Sequence, residues 1–69
     1  MDRIPTIYRN LEWAKTIANF EDVAFRISNM NLARNEKVMI VNYAERIIES
    51  KDFTAEEVKK LEIEFRSML

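Results

Sequence analysis

The chain has 69 residues, 48% of them hydrophobic, with 11 Lys and Arg against 12 Asp and Glu, a net charge of −1, one proline and no glycine, cysteine or histidine. A chain this short forms one domain, spanning 1–69, that buries only about 60% of the surface exposed when unfolded, and it has neither disulfides nor the usual zinc ligands to supplement its core. Without glycine there is no phosphate cradle or dinucleotide fingerprint, without histidine and cysteine the commonest acid-base and thiol chemistries are gone, and a charge near zero gives no global pull toward nucleic acid or anionic lipid.

In chain order, Met1 to Pro5 reads as a lead-in, with Pro5 near the first turn of a helix where its missing N–H costs nothing. That helix, about Thr6 to Lys15, puts Ile7, Leu11, Ala14 and Ala18 on one side and projects Trp13 from another. The phase then changes, and Asn19 is expected to cap a second helix with Asp22 in its first turn. Phe20, Val23, Ala24, Ile27 and Met30 follow at helical spacing, with Phe25 off that face.

Ser28, Asn29 and Asn31 mark a turn, because their short polar side chains compete with the helix for backbone groups. A third helix, about 36–50, follows, with Asn31 or Asn35 as its cap. Its Ile40, Tyr43, Ala44, Ile47 and Ile48 form one face that Val38, Met39 and Val41 widen, so it is read as the central apolar helix with the other segments packed around it. After a break at Ser50 to Phe53, Thr54 and Glu57 have the spacing of a capping box, and Phe53 and Val58 that of a hydrophobic staple. The last helix runs to about Met68, with Val58, Leu61 and Phe65 inward and Glu56/Lys60 and Glu62/Arg66 as i, i+4 pairs outside. The fold class expected is all-α, a compact four-helix domain.

No run reaches the ~18 apolar residues of a membrane span, and the N-terminal MDRIPT lacks the features of a secretory signal, so a cytoplasmic protein is expected. Glu45 with Glu49, and Glu57 with Glu64, share helix faces. Such pairs are far more often solvated faces than catalytic dyads, and no nucleophile, base and orienting group come together. The expectation is therefore a non-enzymatic protein with no cofactor and no metal.

Interaction with another protein is the function that remains, and it has positive support. Trp13, Phe25, Ile63 and one side of the third helix are more apolar surface than so small a core can hide, and excess apolar surface points to a partner, either a different protein or a second copy in a homodimer. Trp13 and Phe25 each have two readings. The commoner is a half-buried packing residue; the other is an aromatic anchor for the partner. A regulator or inhibitor is the role expected, including the kind that phages and plasmids direct at host proteins. Direct DNA binding ranks below it: a helix-turn-helix around Ser28 to Asn31 is conceivable, but Val38 to Val41 is too apolar for an exposed recognition helix.

Three stretches, Thr16-Ile17-x-x-Phe20-Glu21-x-Val23, Leu32-x-x-Asn35-Glu36 and Ala44-Glu45-Arg46, resemble the order of motifs in the small Hha/YmoA proteins. The resemblance covers about 30 residues of the chain's middle. It implies a helical, non-enzymatic protein that binds the nucleoid protein H-NS through acidic side chains, and it assigns that role to Glu21, Glu36 and Glu45. The chain departs from the pattern where the family has Asp-His-Arg and this sequence has Glu45-Arg46-Ile47, by one extra residue before Leu32, and in a longer, more acidic last helix.

Overall fold

A computed structural model describes residues 4–69, and its elements in order are α1 (Ile4–Trp13), α2 (Ile17–Ser28), α3 (Arg34–Ser50) and α4 (Ala55–Arg66). Among the described residues there is no strand. The lead-in expected at Met1 to Pro5 falls mostly outside them, and α1 opens two residues before the expected Thr6, with Pro5 inside its first turn. It also closes at Trp13, short of Lys15, as the Ala14 N–H turns to both Asn10 and Leu11 carbonyls.

The four helices stand at the corners of a bundle. Backbones approach closely between α1 and α2, α2 and α4, α4 and α3, and α3 and α1, which leaves α2 and α3 across one diagonal and α1 and α4 across the other. The third helix is thus the longest wall of the bundle, flanked by two helices, and not a rod enclosed by three. Its Ile40, Val41, Ala44 and Ile48 are buried, while Val38, Tyr43 and Ile47 are half-covered and Met39 is exposed. The core they join is filled by Leu11, Phe20, Ile27, Leu61 and Phe65, all of them essentially inaccessible to water. Phe20 meets the half-buried Phe53 edge to face, with ring centroids 5.7 Å apart. Ala18, expected inward, is exposed: α1 has already ended, and the new phase of α2 begins with Phe20, Val23 and Ala24 as its inner face.

The helix ends show how the chain stops and restarts without glycine. Thr16, not Asn19, caps α2: its hydroxyl accepts the Asn19 N–H at 3.1 Å, and the Asn19 side chain accepts the Lys15 N–H in return. Ala33 occupies the cap position of α3 in place of Asn31 or Asn35. It has no side-chain acceptor to offer, so only half of a capping box forms there, the Glu36 carboxylate accepting the Ala33 N–H at 2.9 Å. The box at α4 is complete, with Thr54 Oγ1 accepting from Glu57 N and Glu57 Oε1 accepting from Thr54 N. That helix stops at Arg66, where Ser67 and Met68 turn back onto Ile63 and Phe65 carbonyls.

Candidate protein-interaction surfaces

Three surfaces between neighbouring helices carry side chains that the core leaves over. The first lies between the end of α1 and the outer side of α2 and is bordered by Trp13, Asn10, Asn19, Asp22 and Arg26. Trp13 is 66% exposed there. It is held in place from outside the core: the Arg9 guanidinium stands over its ring, 5.8 Å from the centroid, within cation–π reach, while Asp22 and Arg26 pair at 3.1 Å along the α2 wall of the groove. An indole left this open, braced by a cation and ringed by polar groups, has the character of an interface anchor.

The second surface follows α2 and α4, which run in the same direction: Glu21 meets Lys60 at 3.4 Å, and further along Phe25 shares a groove with Glu64, Ser67 and Met68. At its other end Ile17 and Ile63 line a wider groove with Glu56, Glu57, Lys59 and Lys60. Phe25 and Ile63 are 68% and 60% exposed, which overturns the packing reading for Phe25 as it does for Trp13. Both project from helices whose inner faces are already complete.

The third surface joins α1 to α3. Tyr8 and Tyr43 stack with centroids 4.4 Å apart, and the Tyr43 hydroxyl donates to the Glu12 carboxylate. That hydrogen bond, reinforced by burial, holds the Tyr43 phenol above its ordinary value of 10.0. Met39, Asn42 and Arg46 border the same groove.

The seam between α3 and α4 is electrostatic. Arg66 Nε donates to Glu45 Oε2, while Glu62 lies against Glu49. Desolvation, the hydrogen bond with Glu49 and the charges of Glu45 and Glu49 raise Glu62 above the ordinary carboxyl value of 4.5, only partly opposed by Arg66. A raised carboxyl pKa in the folded state means that the fold holds this proton more tightly than the unfolded chain. The associated stability is complete below the unfolded value and is lost as pH rises through the folded one. Glu62→Gln is therefore expected to melt a few degrees higher than the parent protein at pH 7. The difference should vanish toward pH 4; thermal melts across that range would show it, and a variant that loses stability at neutral pH would contradict it.

Comparison with protein-family models, with curated proteins and with solved structures finds no match to this chain.

The residues singled out by sequence do not converge on one site. Glu21 and Phe25 line the same groove, Trp13 lies in a different one, Glu45 belongs to the α3/α4 seam, and Glu36 sits at the start of α3. Each of the three carboxylates assigned by the Hha/YmoA resemblance is engaged within the chain: Glu21 with Lys60, Glu36 with the Ala33 N–H and Glu45 with Arg66. The expected Glu56/Lys60 and Glu62/Arg66 pairs give way to these contacts, because Lys60 and Arg66 turn to the neighbouring helices instead. Arg9 and Lys59 carry further surface features and have no periodicity or motif to mark them, and Glu64, marked by spacing only as sharing a face with Glu57, lies instead in the groove with Phe25. No helix of the described residues is long and apolar enough to cross a membrane.

Proposed function

We propose that this chain is a small protein-binding module that regulates or inhibits a partner protein by docking on it through the Trp13 groove. The observation that carries the reading is the exposure of Trp13 on a bundle whose core is complete without it. Burying that ring on a partner gains apolar area at little entropic cost, since a rigid indole braced by Arg9 has few rotamers to lose. Glu21, Glu36 and Glu45 add less, because a carboxylate already paired must break that contact before it meets another partner. A nucleoid or transcription protein such as H-NS is one candidate partner and serves as a probe.

Trp13 is the only tryptophan, so its emission reads the groove directly. The free protein is expected to emit as a water-exposed indole. Proteins retained from a cell extract by the parent chain and lost with Trp13→Ala, H-NS included as a purified probe, should shift that emission to the blue on addition. Retention that ignores the substitution would move the contact off the Trp13 groove, and a saturable response to duplex DNA that weakens steeply with salt would replace this reading with direct DNA binding.

A further inference from the structure

We propose that the Trp13 groove takes an acidic segment of its partner protein, with an apolar side chain lying on the indole and carboxylates meeting Arg9 and Lys15. This rests on the docking role of that groove and adds the chemistry of what docks there. The fold sorts the charges of α1 and α2. Glu12, next to Trp13 in the chain, turns its carboxylate to the Tyr43 hydroxyl on the α3 side, and Glu21 turns to Lys60 on the α4 side. Asp22 is the one carboxylate among the residues lining the groove, and Arg26 takes it up at 3.1 Å. Arg9 and Lys15 are left. Arg9 stands over the Trp13 ring with no ion pair among the described residues. Lys15 is exposed at the rim, where its backbone N–H donates to the Asn19 side chain. A chain whose net charge is −1 thus carries, around its one tryptophan, two cations with no carboxylate of their own.

The other lining groups are donors as well. Asn19 spends its side-chain oxygen on the Lys15 N–H, which leaves its amide hydrogens to give. Cation–π attraction uses the charge of the Arg9 guanidinium and leaves its N–H groups for an acceptor. A carboxylate accepts from both, and an apolar side chain beside it covers the indole. A basic segment would instead meet Arg9 and Lys15 with like charge. A nucleic acid brings a row of phosphates, and Arg9 and Lys15 beside the Asp22 carboxylate neutralise too few of them, since that affinity grows with each phosphate neutralised.

A random peptide library displayed on phage, panned against the whole chain and depleted on Trp13→Ala, supplies the probes. Enriched peptides are expected to carry Asp or Glu next to an apolar residue and no excess of Lys or Arg. Their affinity, read from the blue shift of Trp13 emission, should fall about 10-fold for Arg9→Glu combined with Lys15→Glu, the scale of two rim ion pairs turned to repulsion. Added salt should weaken the parent complex in the same sense. Arg9→Lys keeps the charge and should stay within about 3-fold of the parent. Both positions are exposed, so the fold tolerates these changes. Peptides that need Trp13 but are neutral or basic, or acidic ones that the double reversal leaves unchanged, overturn the proposal and leave docking at the groove standing. Panning that yields no Trp13-dependent peptide overturns both. A single-stranded oligonucleotide that binds the groove more tightly than any enriched peptide overturns the proposal too, putting nucleic acid in place of the acidic segment.

Discussion

Phe65→Ala is expected to leave much of the protein unfolded near body temperature. The ring is fully buried on the inner face of α4, and truncating a buried phenylalanine costs about 3–5 kcal/mol through lost transfer energy and the cavity left behind. A domain of this length has only about 3–10 kcal/mol in total. Phe25→Ala is the matching control: the same chemistry is removed from a ring that is 68% exposed, so the change should stay within about 0.5 kcal/mol. Urea denaturation of the two variants measures both, and equal losses would mean that the inner and outer faces of these helices have been confused.

Trp13→Ala should have the reverse profile. Binding to a captured partner is expected to fall about 30-fold or more, in keeping with the 2 kcal/mol or greater cost of truncating an interface anchor. Folding stability should fall by no more than about 1 kcal/mol, the scale of the lost contact with Arg9. Affinity and stability therefore have to be measured on the same preparation. A variant that loses both in parallel would make Trp13 a packing residue after all.

The comparison of Phe65 with Phe25 also shows what periodicity conveys. Residues spaced at i, i+3, i+4 and i+7 share a helix face, and the inner faces of α2, α3 and α4 were legible in this way, down to Phe20, Ile27, Ile40, Ala44, Ile48, Leu61 and Phe65. Leu32 escapes this logic. It is buried from within the α2–α3 connection, where no helical repeat applies. Local chemistry located the α4 start through Thr54 and Glu57, yet placed the α2 cap on Asn19; Thr16 takes that role, its hydroxyl accepting the Asn19 N–H, while the Asn19 side chain accepts the N–H of Lys15, one residue before the cap.

What spacing does not convey is which helices become neighbours. Glu21 with Lys60, Glu45 with Arg66 and Tyr8 with Tyr43 all join separate helices, so they follow from the order of the bundle's corners and from no pattern within one helix. The same limit governs the candidate surfaces. Sequence placed Trp13, Phe25 and Ile63 in excess of what the core can hold, but their distribution over three grooves, with Glu21 beside Phe25 and Arg9 over Trp13, depends on how the helices pack.

This bundle closes on its own, with Trp13, Phe25 and Ile63 outside its core. Thermal unfolding of the triple variant Trp13→Ser, Phe25→Ser, Ile63→Ser, followed by helical circular dichroism at low protein concentration, tests it most directly. Unchanged helix content and a cooperative melt within a few degrees of the parent protein are expected. A triple variant that has lost its helices or melts without cooperativity would contradict it, because those three side chains would then belong to the core.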